Sequence, residues 1–369
     1  MIEFDGYKVA DPDALETPAM LVHDSRLGHN IAAVCELAGG GANLLVHVKT
    51  HKAAAVVQRQ LEAGVAGCKC ATLKELEMVL ECGAAVAVLA YPLCQRRKAE
   101  RLAELARQYP QARVCACVSA PEHVETLASV GVDGERLRVL LDVDLGMHRT
   151  GVAPGDQAIE LARRVAAQPR LELAGLHGYD GHEHLTEPEA RAAAAQRHVE
   201  ELRELAGRLR GEGFATPIVV GGGSFSFVSF ARAEGMYGSP GTPVYWDWGY
   251  SRMMPDMPFR CAAVVLTQVV DRYPAEGTVT TDLGYKAICG DPALPDRALL
   301  LGHRDARLVL QNEEHGVFRW AGALPAVGSY LLAVPGHVCS TTVRHPGSYV
   351  VDDDGEVIDY YAHTARDRH

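Results

Sequence analysis

Short runs of β-branched and aliphatic residues alternate along most of the chain with Ala- and Leu-rich stretches whose apolar positions recur at helical spacing. The runs cover residues 19–23, 44–49, 67–71, 86–91, 113–119, 137–144, 171–179 and 218–222. Stretches such as 96–107 and 157–167 read as helices between them. The longest, 187–210, opens on Thr186-Glu187-Pro188-Glu189, a capping-box pattern with proline in the first turn, and closes at Gly211. Strand and helix alternating at this spacing mean parallel strands joined by crossover helices. Eight such units make a (β/α)8 barrel of the TIM type, with an open doubly wound sheet as the competing arrangement.

Polar residues decide between the two. They gather where the apolar runs end, at Lys49-Thr50-His51, Tyr91, Ser119, Asp144 to Arg149, His177 to His184, and Gly221-Gly222-Gly223-Ser224. Polar ends on nearly every strand suit a closed barrel, whose chemistry sits at the strand C-termini, better than a sheet with one switch point. Past residue 255 helical spacing nearly vanishes. Runs at 261–270, 277–282, 298–301, 317–320, 330–334, 341–343 and 349–351 are separated by turn residues and predict a mostly antiparallel β domain. The expected division is an α/β barrel at 15–255 and a β domain at 256–369, joined by residues 1–14.

Composition adds exclusions. The chain has 369 residues with a net charge of −11, so a nucleic-acid binder working through a basic surface is not expected. No basic segment followed by an apolar core opens the chain, and no long uninterrupted apolar window crosses a membrane. Ten scattered cysteines without a secretory signal predict reduced thiols and a cytoplasmic location.

Five segments carry chemistry. In His47-Val48-Lys49-Thr50-His51-Lys52, Lys49 falls where an apolar strand ends. A desolvated lysine there suits Schiff-base chemistry, and a surface loop with exposed lysines is the plain alternative. Gly221-Gly222-Gly223-Ser224 and Ser239-Pro240-Gly241-Thr242 are small polar loops of the kind that close on a phosphate, without the dinucleotide fingerprint. His337-Val338-Cys339, read as extended, points both side chains to one face, and imidazole with thiolate favours zinc over magnesium or calcium. Asn312-Glu313-Glu314-His315 is either a further ligand group or a polar turn. Residues 142–152 form a strand and loop, and 175–184 pack three histidines, an aspartate and a tyrosine into ten positions. That last segment reads as a metal cluster or as a cofactor lining with an acid–base group.

Together these residues resemble the fold-type III pyridoxal phosphate enzymes, and within them the D-threonine aldolase and D-serine dehydratase group. The resemblance runs from Thr17-Pro18 to His337-x-Cys339, and its most specific element is His47-x-Lys49-Thr50-His51-Lys52. It implies that Lys49 carries the cofactor, that Gly222, Gly223, Ser224, Gly241 and Thr242 hold its phosphate, and that Arg149 and Tyr179 flank its ring. It implies a divalent metal, zinc or manganese, on His337 and Cys339, and a homodimer. Ser340 follows Cys339 where the group commonly has proline, and Arg344 follows Val343 where it has asparagine.

The implied activity is a lyase acting on D-β-hydroxy-α-amino acids. Removal of the hydroxyl proton, with His182 or a metal-bound water as base, gives glycine and an aldehyde. Removal of the Cα proton by Lys49 gives ammonia and a 2-oxo acid, as in a D-serine or 3-hydroxy-D-aspartate dehydratase. An amino-acid racemase shares the barrel but has no use for His337-x-Cys339. A pyridoxal phosphate carrier of this fold lacks the β domain. A zinc hydrolase built on residues 177–184 is the alternative without the cofactor.

Overall fold

The computed structural model describes residues 1–130 and 136–368. The chain divides into two compact units, one containing Met1–Ala33, Thr50–Val56 and Thr242–Arg366, the other Val34–Lys49 and Val57–Gly241.

The second unit is a parallel barrel. Its strands are Leu45–His47, Gly67–Cys70, Val86–Leu89, Arg113–Val118, Leu137–Asp144, Leu171–Tyr179, Ile218–Gly221 and Tyr237–Gly238, each paired with the next. A parallel bridge between Leu44 and Gly238 closes the ring. His47 N–H donates to the Pro240 carbonyl at 2.8 Å, and the Ser239 hydroxyl donates to the Leu45 carbonyl at 2.7 Å across the same seam. Leu45, Val88, Cys115, Cys117, Leu140, Ala174, Ile218 and Val220 form one buried cluster, the filled core expected of such a barrel. Gly175 lies opposite the register shift between Val139 and Leu140 with φ +147, and a Cβ there would stand 1.7 Å from the Ile218 carbonyl oxygen. No other residue fits that crossing. The long helix is Pro188–Gly211, capped at Glu187 without a side-chain bond, so proline starts the helix but the capping box at Thr186 does not form.

The first unit carries a nine-stranded sheet. Its main path runs Arg307–Gln311, Gly316–Arg319, Thr278–Thr281, Ala263–Tyr273, Ala19–His23, Gly347–Val351 and Val357–Ala362, with Tyr330–Pro335 and Ala298–Leu300 branching from it. Pairing is antiparallel except between Ala19–His23 and Gly347–Val351. An N-terminal hairpin, Ile2–Phe4 with Tyr7–Val9, turns at Asp5 and Gly6, both at positive φ as a tight two-residue turn requires.

Three expectations change. Ala19–His23 is not a barrel strand, and the eighth position belongs to Tyr237–Gly238. All five residues of Ala19–His23 are buried, Met20 and Val22 in one cluster and Ala19 and Leu21 in another. A strand buried on both faces reads as an unbroken apolar run, like a barrel strand. For the same reason residues 15–33 group with the sheet rather than the barrel. Residues 242–255 do too, with Val244 and Tyr245 packed in the cluster of Met20 and Val22. Residues 341–343 are not a strand: Thr341 and Thr342 end the short helix Val338–Thr342, where their hydroxyls donate to the carbonyls of His337 and Val338 at 2.9 and 3.0 Å. Among the described residues the ten cysteines form no disulfide.

Candidate active site

The first barrel strand stops at His47, and Val48–Thr50 form a single 3-10 turn that carries Lys49 at the strand end. Lys49 Nζ lies 5.8 Å from the centre of the Tyr179 ring. The Arg149 guanidinium carbon lies 5.1 Å from the same ring, and Lys69 Nζ 5.7 Å. Tyr179 ends the sixth barrel strand, Arg149 follows the fifth, Lys49 follows the first and Lys69 lies within the second, so cations from three separate strands converge on one aromatic ring. Glycines leave room for the ring: a Cβ at Gly181 would stand 2.2 Å from it, and one at Gly223 2.9 Å.

Lys69 had no role in the sequence reading. It sits inside the barrel at 1% exposure, between Cys68 and Cys70. Burial and then the Lys49 charge push it down to about 7, against the pull of Cys117, Asp180 and Asp142. The signal was a lysine inside an otherwise apolar strand body. Beside it, Asp142 Oδ1 and His177 Nδ1 are 2.7 Å apart, both side chains buried. Burial works against the Asp142 carboxylate, but the His177 and Thr150 hydrogen bonds and the Lys69 charge hold it below its ordinary range. Burial likewise pushes His177 down, which makes the pair a carboxylate accepting from a neutral imidazole. His177 Nε2 is buried with no hydrogen-bond partner.

The glycine loop after the seventh strand is tightly packed. Gly222 has φ +77, and Gly223 N–H donates to Ser226 Oγ at 3.1 Å. Ser226 in turn donates to Asp180 Oδ1 at 2.8 Å, leaving Asp180 Oδ2 buried without a partner. Burial raises the Asp180 carboxyl despite that bond. Cβ atoms at Gly221 and Gly222 would collide with Phe230, so these two glycines also serve the packing of the next helix. Ser224 is buried behind them.

The histidines of residues 177–184 do not form one cluster. His177 faces Asp142, His184 lies against Phe225 with ring centres 5.4 Å apart, and exposed His182 lies beside Glu183 and His198. His198 comes from the long helix and was not singled out in the sequence.

In the other unit His337 caps the helix that contains Cys339, so the pair is joined by a strand-to-helix turn and not by an extended segment. Asp247 fixes this turn by accepting from Val338 N–H at 3.0 Å and from Tyr250 N–H at 2.9 Å. Burial pushes Asp247 up to about 6. His337 Nδ1 meets Asp291 Oδ2 at 2.5 Å, and Ser340 donates to Asp291 Oδ1 at 2.5 Å. Burial opposes a charge on His337, but a hydrogen bond with the Cys339 sulfur, its charge and Asp291 outweigh it and raise the imidazole to about 10. Thr50 Oγ1 and Thr242 Oγ1 lie 3.2 and 3.5 Å from Cys339 Sγ, so Thr242 faces the thiol in this structure. Asn312 to His315 make a polar turn whose exposed glutamates pair with Lys286 at 2.6 and 3.5 Å.

Both implied groups fit these residues. Cationic side chains around an aromatic wall, with a glycine loop at the strand end, suit an anionic aromatic cofactor. An imidazole in direct contact with a thiol, with a carboxylate on its Nδ1, is the donor set of a transition-metal site.

Residues 22–247 match the family described as alanine racemase, N-terminal domain, and residues 262–351 match a putative serine dehydratase domain. The D-threonine aldolase of Arthrobacter sp. is 30% identical over 96% of this chain and 94% of its own. The 3-hydroxy-D-aspartate aldolase of Paracoccus denitrificans strain Pd 1222 is 27% identical over 99% of this chain and 98% of its own. The crystal structure of D-threonine aldolase from Filomicrobium marinum superposes with a TM-score of 0.86 at 28% identity, covering 95% of this chain and 96% of that one.

Proposed function

The chain belongs to the alanine racemase N-terminal domain family, within the fold-type III pyridoxal phosphate enzymes, and on that premise we propose that it is a metal-assisted lyase cleaving D-β-hydroxy-α-amino acids to glycine and an aldehyde. What supports the reading most is the convergence of Lys49 and Arg149 on the Tyr179 ring at the barrel's strand ends.

When bound, pyridoxal phosphate supplies an electron sink for the bond being broken, and a divalent cation, zinc or manganese, polarises the substrate's β-hydroxyl. Lys49 holds the cofactor through its Nζ. Arg149 and Tyr179 position the ring, and the loops at Gly222, Gly223, Ser224, Gly241 and Thr242 receive the phosphate. His337 and Cys339 hold the cation, with Asp291 fixing the His337 tautomer. His182 takes the proton from the β-hydroxyl oxygen as Cα–Cβ cleavage proceeds. The working form is a homodimer in the cytoplasm.

A dehydratase is the second reading. It is favoured by the serine dehydratase domain match, whose residues 262–351 contain both His337 and Cys339. There Lys49 Nζ takes the Cα proton and the β-hydroxyl departs. Products from D-threonine, D-serine and 3-hydroxy-D-aspartate separate the readings. Glycine with an aldehyde is the expected outcome, ammonia with a 2-oxo acid establishes the dehydratase, and interconversion of enantiomers alone overturns both.

A further inference from the structure

The loop after the barrel strand Leu171–Tyr179 sets His182 and Glu183 against His198 of helix Pro188–Gly211. One donor atom from each residue lies within 4.8 Å of the others. His198 Nε2 is 3.4 Å from Glu183 Oε1, and His182 Nε2 is 3.8 Å from the same oxygen. Nitrogen and oxygen ligands bound at about 2.0–2.2 Å to a tetrahedral zinc ion stand roughly 3.3–3.5 Å apart. The Glu183–His198 pair already has that spacing, and exposed His182 has only a small adjustment to make.

We infer that His182, Glu183 and His198 form a binding site for a divalent transition-metal ion of the zinc class, using none of the residues of the His337–Cys339 pair. The independent sign is His198. Its side chain is only 10% exposed, and its Nε2 is buried without a hydrogen-bond partner while facing Glu183. Leaving such a nitrogen unpaired is unfavourable, and a bound ion removes that penalty.

The surroundings agree. Glu201 lies 3.6 Å from His198 Nδ1, on the far side of the ring. A carboxylate there favours the tautomer protonated at Nδ1 and leaves the Nε2 lone pair to the metal. Gly146, at φ +106, faces His182, and a Cβ there would come within 3.1 Å of His182 Nε2. Glycine therefore keeps the space beside the donor nitrogen open. The competing cation is Arg197, 3.8 Å from Glu183 Oε1 and 65% exposed. An ion pair that exposed is weakly held and yields to a divalent ion. Two imidazoles and one carboxylate select zinc or a neighbouring transition metal over magnesium or calcium, and three protein ligands leave a position open to water or an anion.

The inference stands on this geometry and not on the proposed activity. A cation here takes the His182 lone pair, so loading the site inhibits cleavage if His182 is the base. That inhibition reports on the base alone.

The deciding experiment is metal content per chain, by mass spectrometry after equilibrium dialysis of the full-length holoenzyme against zinc. Wild type, His198→Gln and Glu183→Gln are compared, each also in the His337→Ala/Cys339→Ala background, with circular dichroism as the folding control. The expected result is the loss of one zinc per chain with either single substitution, in both backgrounds. Unchanged zinc content in folded His198→Gln and Glu183→Gln overturns the site. Zinc lost through His337→Ala/Cys339→Ala, with no further loss from His198→Gln or Glu183→Gln, leaves the cation of the proposed reaction standing and overturns this one.

Discussion

Lys69 Nζ stands 5.7 Å from the centre of the Tyr179 ring from inside the barrel, nearly matching the 5.8 Å at which Lys49 Nζ approaches the same ring. One amine is at the strand end and half-buried; the other is sealed in the strand body. Burial and then the nearby Lys49 charge push Lys69 down, so the sealed amine gives up its proton more readily than an isolated lysine does.

Lys69 therefore gives a signed pH prediction. Burial and the Lys49 charge bring it from 10.5 to about 7. Between those values the unfolded chain keeps a proton that the folded chain has released, so stability rises with pH across that window and the penalty is fully present below it. Lys69→Met replaces the amine by an apolar chain of similar length. Calorimetry should find the variant's Tm several degrees above wild type near pH 7, with the gap closing toward pH 10. A gap that stays constant with pH contradicts a proton-linked cost.

Gly181→Ala should displace the Tyr179 ring, since the new methyl would stand 2.2 Å from it. Overpacking of this kind costs about 1–3 kcal/mol. Urea unfolding should show that loss, and cofactor titration should show about tenfold or greater weakening of pyridoxal phosphate affinity. Wild-type affinity would mean that the ring does not shape the cofactor site.

Asp142→Ala leaves His177 Nδ1 facing a void inside the barrel, and a lost partner of this kind costs about 1–3 kcal/mol. The double variant Asp142→Ala/His177→Phe should recover part of that loss in equilibrium unfolding. Additive losses would show that the two side chains do not act as a pair.

Asp291 touches His337 Nδ1, which leaves Nε2 for the proposed cation. Asp291→Ala should weaken metal affinity about 10–100-fold without abolishing it, whereas His337→Ala should remove that cation altogether. Thorough chelation should stop turnover while the cofactor's visible absorbance persists. Full activity after demetallation contradicts the role of the cation.

Much of this was legible in the chain and some was not, for identifiable reasons. Barrel strands from Leu45–His47 to Ile218–Gly221 announced themselves because nearly every apolar run ends in polar residues. The eighth, Tyr237–Gly238, is two residues long and half glycine, too short to show a period, while Ala19–His23 imitated a barrel strand by being buried on both faces. Lys49, Arg149, Tyr179, His337 and Cys339 stood out through local motifs. Lys69 was hidden because a single lysine in a strand reads as solvent-facing until the barrel closes around it. His198 was hidden because its partners, His182 and Glu183, lie fifteen or more positions away along the chain.

The most direct test of the account is borohydride reduction of the purified holoenzyme followed by peptide mapping. The account predicts a pyridoxyl group fixed on Lys49, with loss of the visible chromophore in Lys49→Ala. A label on Lys69, or no labelled peptide from a protein that still cleaves its substrate, would contradict it.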